Sequence, residues 1–194
     1  MTVVTELVDR SLTSLLAAGV ELTDGLSETE IDALQRHFKF EFGPDHRELL
    51  SKAVPSGEGW YDWRDPSEEL IKKMLVWPIE GVLFDVASNE FWPSSWGERP
   101  SKLKSALEIA ERHLAVWPKL VPLFSHRFMP AAPSMPGAPV LSVYQTDVIF
   151  YGPNLLDYVR AEFGSLKTRF YDPDVDWSNL LPPWSLLATG NNVP

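Results

Sequence analysis

Prolines set the first limit on what this chain can fold into, because 17 of them interrupt its 194 residues. A proline inside a helix removes one backbone hydrogen bond and clashes with the preceding turn, and inside a sheet it removes a ladder donor. A simple bundle of long helices is therefore not expected. Hydrophobic residues make up 44% of the chain, enough for a sizeable core. The length fits one domain with appendages better than two full domains.

Apolar residues recur at helical spacing in several segments. The predicted helices cover residues 3–18, 28–37, 44–53, 67–77, 101–116 and 154–163. Ser27 and Glu30 form a capping-box pattern before the second of them, in which each side chain would satisfy a free amide of the first turn. Pro44 would open the third, because a proline in the first turn loses no hydrogen bond.

Short apolar runs predict strands at residues 81–86, 120–124, 140–144 and 148–151. Residues 145–147 between the last two predict a tight turn, so these two strands would pair as a hairpin. Residues 125–139 hold four prolines and are predicted to be largely loop.

The charge of the chain is acidic and uneven. The net charge is −10, and residues 1–65 carry 13 acidic and 6 basic side chains, a net of −7. Such a balance would be repelled by a phosphate backbone, so direct binding of nucleic acid is not expected. An acidic surface can steer a basic protein into contact, although solubility alone would also explain the charge.

The sequence also predicts a compartment. Cysteine is absent, which excludes disulfides, thiolate zinc sites and cysteine nucleophiles. Glu6, Asp9 and Arg10 interrupt the apolar pattern at the N-terminus, so this pattern is not that of a signal peptide. No run approaches about 20 apolar residues, and no membrane segment is expected. We therefore expect a cytoplasmic protein.

The motifs of common active sites are missing from the sequence. It has no Gly-x-Ser-x-Gly elbow, no phosphate-binding glycine loop and no histidine pair at metal-ligand spacing. Asp172, Asp174 and Asp176 begin like a calcium loop, but Pro183 stands where the closing glutamate would be. We predict no catalytic residue, no metal site and no cofactor.

His126 and Arg127 follow a predicted strand and could form an active-site dyad. In the structural alternative, His126 would bond the backbone at the start of a loop, and Arg127 would pair with a carboxylate such as Asp147. We favour this alternative, because polar pairs of this kind more often hold a fold together than carry out chemistry. Arg127 and Asp147 are accordingly predicted to be a structural polar pair.

Two loops are rich in aromatic residues. Their notable members are Trp60, Tyr61, Asp62, Trp63, Arg64 and Asp65 in the first loop, and Trp92 and Trp96 in the second. Trp, Tyr and Arg often dominate the binding energy of protein interfaces, so these eight residues are predicted to form a partner interface. Alternatively, each ring fills a gap at the sheet edge or between helices.

Five segments of the chain follow a recognisable order. Residues 26–31 (LSETEI) and 42–50 (FGPDHRELL) give a capped helix, a break and a helix that starts with proline. Residues 121–130 (VPLFSHRFMP), 139–152 (PVLSVYQTDVIFYG) and 154–163 (NLLDYVRAEF) give a strand with a turn, a hairpin and a closing helix. This order resembles the SUKH superfamily, which includes yeast regulators of cell-wall synthesis and bacterial immunity proteins. The last three segments are similar to one bacterial branch, and the resemblance covers roughly residues 22–164.

The resemblance implies an α+β fold, in which helices pack on a small, mostly antiparallel sheet. A single SUKH-like domain would then span residues 1–164, with an N-terminal helix over 1–20 as an appendage. Residues 165–194 show little periodicity and are predicted to be a loosely structured C-terminal tail.

For function, the resemblance implies a non-catalytic, intracellular protein-binding module, an immunity-type protein that binds and neutralises a toxin effector. The expected partner is another protein, a basic toxin or nuclease domain. Two alternatives stay open. The chain could be a regulatory or scaffold domain of a larger intracellular assembly. It could also be an enzyme that acts on a glycan or a small molecule, because the sugar rings of a glycan could stack on tryptophan.

Overall fold

The computed structural model describes residues 2–65, 69–164, 176–190 and 193. These residues form seven α-helices: α1 (Val3–Ala17), α2 (Glu28–Phe38), α3 (Pro44–Lys52), α4 (Glu69–Ser88), α5 (Leu103–Leu114), α6 (Leu155–Glu162) and α7 (Trp184–Ala188). Two 3₁₀ turns lie at Ser94–Trp96 and Trp177–Asn179.

The predicted starts of α2 and α3 are confirmed. The backbone N–H of Glu30 donates to the hydroxyl of Ser27 over 3.3 Å, and the backbone N–H of Ser27 donates to the Glu30 carboxylate over 2.7 Å. This is the predicted capping box of α2. Pro44 occupies the first turn of α3, where its missing N–H costs nothing.

Within the described residues, six strands form two antiparallel sheets. The small sheet pairs β1 (Glu21–Asp24) with β2 (Ala53–Ser56). The larger sheet has β3 (Leu120–Phe124), β4 (Arg127–Pro130), β5 (Val140–Tyr144) and β6 (Asp147–Gly152) in that order. The fold is therefore a single α+β domain with antiparallel sheets, as predicted.

The β5–β6 hairpin is also confirmed. Tyr144 pairs with Asp147, and Gln145 has a positive φ of 57° in the two-residue turn between them. A turn of the same length joins β3 to β4, and there Ser125 has a φ of 47°. Both turns thus use a residue in the left-handed region of backbone conformation.

One prediction of local structure is wrong. Residues 81–86 are not a strand, because α4 runs through them. Met74, Pro78, Val82 and Val86 are buried at four-residue steps, which is the pattern of a helix face. Residues 125–139 are largely loop, as predicted, but they also contain β4, whose backbone pairs on both sides with β3 and β5.

Side chains on the two faces of the larger sheet pack into two separate hydrophobic cores. On β4, Phe128 lies in the core shared with α2, α4, α5 and α7, whereas Met129 lies in the core shared with α1, α3 and α6. Leu141 and Val140 on β5 divide in the same way. Adjacent strand residues point to opposite faces, so helices cover the sheet from both sides.

Both ends of the described chain pack on this sheet-centred body. Val8 and Leu15 of α1 are fully buried in the second core. Trp184 of α7 is fully buried, and its indole N–H donates to the carbonyl of Pro118 over 2.7 Å. Of the predicted tail, residues 176–190 are thus held against the body, and residues 165–175 lie outside the described residues. The proposed boundary at residue 164 stays a prediction.

Among the described residues, no helix has the length and apolar character needed to cross a membrane.

Candidate functional site

The first aromatic loop, residues 57–65, runs beside the turn that joins β3 to β4. Trp60 forms an isolated antiparallel bridge with Phe124. The N–H of Ser125 donates to the carbonyl of Gly59 over 2.7 Å, and the hydroxyl of Tyr61 donates to the carbonyl of Ser125. Gly59 has a φ of 88°, and a Cβ there would lie 2.6 Å from the Phe124 ring. This glycine therefore allows the loop to lie directly on the sheet.

The rings of this loop have different surroundings. Tyr61 and Trp63 are each only 3% exposed, and Trp63 packs edge-on against Phe42 with ring centroids 5.1 Å apart. Trp60 is half-buried and stacks on Phe163 at 5.5 Å. Tyr61 and Trp63 are therefore mainly core residues, and only the edge of each ring that borders a surface cavity is accessible. Trp60 stays at the surface.

The second predicted patch is also mainly internal. Trp96 is 6% exposed, and its ring stacks on His113 at 5.3 Å. Trp92 is half-buried, packs edge-on against Trp96, and donates its indole N–H to the carbonyl of Gly97 over 2.8 Å. Neither Trp92 nor Trp96 lines the two cavities that border the first loop.

The charged residues of the first loop remain exposed. Arg64 reaches back to β1, where its guanidinium donates to the hydroxyl of Thr23 over 3.2 Å and to the carbonyl of Asp24. The backbone N–H of Arg64 donates to the carboxylate of Asp62 over 3.0 Å, and that of Asp65 to the carbonyl of Asp62 over 3.2 Å. Arg64 therefore ties the loop to the small sheet.

An open groove of about 530 Å³ lies where this loop meets the small sheet. Its lining residues are Thr23, Asp24, Val54, Pro55, Ser56, Gly57, Trp60, Tyr61, Asp62 and Arg64. We call it the acidic groove, because the carboxylates of Asp24 and Asp62 border it. In the described parts of the chain, neither carboxylate forms an ion pair.

A second cavity, of about 280 Å³, lies on the other side of Arg64. Its lining residues are Leu26, Glu30, Ala33, Leu34, His37, Trp63 and Arg64. We call it the apolar cavity, because aliphatic and indole carbon provide most of its wall. Arg64 is common to both cavities and stands between them.

The rim of the apolar cavity carries a negative charge at Glu30. Bonds from the hydroxyl and backbone N–H of Ser27, together with the nearby Arg64 guanidinium, hold the pKa of Glu30 below its usual value. Glu30 is therefore ionised at neutral pH, and it adds to the negative potential around Arg64.

The predicted polar pair of Arg127 and Asp147 is not formed. Arg127 is buried and donates from Nε to the carboxylate of Glu162 over 3.2 Å, which joins β4 to α6. It also donates to the hydroxyl of Ser142 over 3.2 Å and lies 3.7 Å from the centre of the Tyr151 ring. Asp147 is exposed at the start of β6, two strands away. The carboxylate partner of Arg127 is therefore Glu162.

His126 sits beside this cluster. Its Nδ1 lies 3.2 Å from the hydroxyl of Ser125, and its Nε2 contacts the guanidinium of Arg127. Burial and the Arg127 charge lower the pKa of His126, so its ring is neutral at pH 7. A serine beside an imidazole is an efficient nucleophile for acyl transfer when a carboxylate orients the ring and stabilises the imidazolium. Here a cation faces the second ring nitrogen, which makes His126 a weak base.

Metal chemistry has no clear location in the part of the chain that the structure describes, where no three potential ligand side chains cluster. Of the three alternating aspartates, Asp172 and Asp174 lie outside the described residues. Asp176 caps the second 3₁₀ turn by accepting from the hydroxyl and N–H of Ser178.

The sequence interpretation missed most of the residues that complete the site. Asp24 comes from β1, and Leu26, Ala33 and Leu34 come from the start and face of α2. Nothing in the local sequence separates Asp24 from the other acidic residues before position 65. The one available signal was the capping box, which fixes where α2 begins and hence which α2 side chains face outward.

Comparison of the chain with family models, with curated proteins and with solved structures finds no match.

Proposed function

We propose that this chain is a non-catalytic protein-binding module of the immunity type, which binds a basic toxin or nuclease domain and blocks it. The acidic groove carries this proposal. It places two carboxylates without an ion-pair partner next to the half-buried ring of Trp60, at the surface of the described structure. A lysine or arginine side chain would find both charge and an aromatic wall there.

The surrounding charge supports a basic partner. The groove is built entirely from residues before position 65, the region with a net charge of −7. Long-range attraction of this kind accelerates encounter with a basic protein, and specific contacts then hold the complex. The resemblance of residues 22–164 to the SUKH superfamily points to the same class of function.

The surroundings of His126 favour binding over catalysis. An enzyme acting on a glycan or small molecule would gather acids, bases or donors in one cleft. The acidic groove contains carboxylates but no histidine, and His126 lies against Arg127 instead. The observations thus favour neither a hydrolase nor a metal-dependent enzyme.

The test is affinity purification of the tagged full-length protein from its native cell, followed by identification of the proteins that co-purify. We expect one basic protein at stoichiometric level, and its loss when both groove carboxylates are neutralised (Asp24→Asn with Asp62→Asn). The matched control is Glu108→Gln, which removes one exposed carboxylate on α5, outside the groove. Recovery of no stoichiometric partner would contradict the proposal.

A further inference from the structure

We infer that the partner presents one continuous segment with a basic side chain next to an apolar one, and that these enter the acidic groove and the apolar cavity on either side of Arg64. The inference rests on the proposed function, and it names the chemistry that the same site would select.

The two cavities are adjacent because they share a lining residue. Arg64 lines both, and its guanidinium is held in place by Thr23 and Asp24 of β1. Its backbone is held by Asp62. These bonds place Arg64 as a ridge that the two cavities share. A ligand that crosses the ridge meets both cavities in succession.

The walls of the two cavities differ in chemistry. Asp24 and Asp62 border the acidic groove, whereas Leu26, Leu34 and Trp63 contribute carbon to the wall of the apolar cavity. An apolar wall gains free energy by covering carbon, and two carboxylates that form no ion pair among the described residues gain by accepting from a cation. One side chain cannot satisfy both needs, so two side chains of different chemistry are required.

The sizes also match side chains better than larger groups. The apolar cavity encloses about 280 Å³, which accommodates one leucine, methionine or phenylalanine side chain. The acidic groove, at about 530 Å³, has room for an extended lysine or arginine and part of its backbone.

Charge selects a partner protein over a second copy of this chain. The chain carries a net charge of −10, so a second copy would bring a repelling surface to the acidic groove. A basic protein has the required lysines and arginines at its surface, with apolar residues between them.

The probe for this inference is a library of random short peptides selected on the immobilised full-length protein. We expect the enriched peptides to share a lysine or arginine within a few residues of a leucine, isoleucine, methionine or phenylalanine. The dissociation constant of a labelled enriched peptide is then measured by fluorescence anisotropy for the wild type and three variants.

Ala33→Trp fills the apolar cavity from its exposed rim, and Asp24→Asn with Asp62→Asn neutralises the groove. Both of these variants should raise the dissociation constant by about tenfold or more, because each prevents one side chain of the peptide from binding in its cavity. Ala87→Trp adds the same indole at an exposed position of α4 outside both cavities, and should bind as the wild type does. Thermal melting checks that each variant is folded, and Ala33→Glu replaces Ala33→Trp if the latter is not.

Enriched peptides that lack the basic and apolar pair would overturn the inference, and so would equal peptide affinity of Ala33→Trp and the wild type. A dimer that sedimentation detects in the wild type and not in Ala33→Trp would also overturn it, because a second copy would then occupy the cavity. A native partner that co-purifies yet binds Ala33→Trp normally would overturn this inference alone. Absence of any co-purifying partner would instead overturn the proposed function.

Discussion

The carboxylate of Asp85 accepts two hydrogen bonds from Thr146, one from the backbone N–H over 2.8 Å and one from the hydroxyl over 2.6 Å. Asp85 is buried on α4, and Thr146 is in the turn of the β5–β6 hairpin. The second carboxylate oxygen accepts from the side chain of Asn89 over 2.6 Å. One buried side chain thus joins the longest described helix to the edge hairpin of the sheet.

Asp85→Asn should destabilise the protein by about 2–4 kcal/mol, because an amide cannot accept from both Thr146 and Asn89 as the carboxylate does. Chemical denaturation measures the free energy of unfolding. The control is Asp147→Asn, which changes an exposed carboxylate in the same hairpin and should leave stability unchanged. Equal effects of the two substitutions would contradict the role assigned to Asp85.

Gly81 lies in α4 where the helix passes the same turn. A Cβ at this position would lie 2.8 Å from the Cα of Gln145 and 3.0 Å from its backbone nitrogen. Alanine normally stabilises a helix interior by about 1 kcal/mol relative to glycine. At this site we expect Gly81→Ala to lower the melting temperature, because backbone atoms of the turn must move.

The matched control for Gly81 is the reverse exchange, Ala87→Gly, at an exposed position of the same helix. It should cost about the intrinsic difference of 1 kcal/mol. A stabilised Gly81→Ala protein would show that the helix and the turn are not in close contact.

His46 is fully buried on α3, with its ring 5.0 Å from that of Phe42 and 6.0 Å from that of Trp63. Neither ring nitrogen has a hydrogen-bond partner among the described residues. Burial lowers the pKa of His46 from 6.5 to about 3. Below pH 6.5 the unfolded chain therefore takes up a proton at this residue and the folded protein does not, so stability falls as the pH drops toward 3.

His46→Phe removes this proton uptake while keeping an aromatic ring at the site. Between pH 6 and 4, the free energy of unfolding should fall less steeply in the variant, by up to about 1.4 kcal/mol per pH unit. The neighbouring Asp45 acts in the opposite sense, because burial raises its pKa, and it is present in both proteins. Parallel pH profiles for the variant and the wild type would contradict the prediction.

Glu162 is the carboxylate that faces buried Arg127. Glu162→Gln leaves the guanidinium without its charge partner, and we expect a loss of about 1–3 kcal/mol in unfolding free energy. Glu108→Gln is the comparison, since it removes a carboxylate from an exposed pair with Lys104 at 4.0 Å. Denaturation should detect no change there. If Glu162→Gln were equally silent, Arg127 would not depend on this partner.

Sequence reasoning located most elements where a local signal marks the ends. The capping box before α2, the proline at the start of α3 and the tight turn between β5 and β6 are all present as predicted. It failed at residues 81–86, where a run of apolar residues is compatible with a strand or a buried helix. Tertiary packing favours the helix over the strand, because residues of α4 are buried in the core and Asp85 on this helix accepts hydrogen bonds from Thr146.

The site was harder to predict than the fold, since it depends on contacts distant in sequence. Arg127 pairs with Glu162 and not with Asp147. This partner could be predicted only from the position of α6 beside the sheet, which the local sequence does not give. Trp63 and Trp96 were predicted to belong to a partner interface, with gap filling as the alternative, and the structure places both rings in the core. An aromatic residue in a glycine- and proline-rich segment is compatible with either role.

The claim that the acidic groove binds a basic partner is tested most directly by one affinity ratio. The dissociation constant of the partner recovered by co-purification is measured for the wild type and for the protein with Asp24→Asn and Asp62→Asn. We predict binding at least about tenfold weaker for the variant at low salt, and a smaller difference at high salt, because salt screens exposed charges. Equal affinity of the two proteins at low salt would contradict the account.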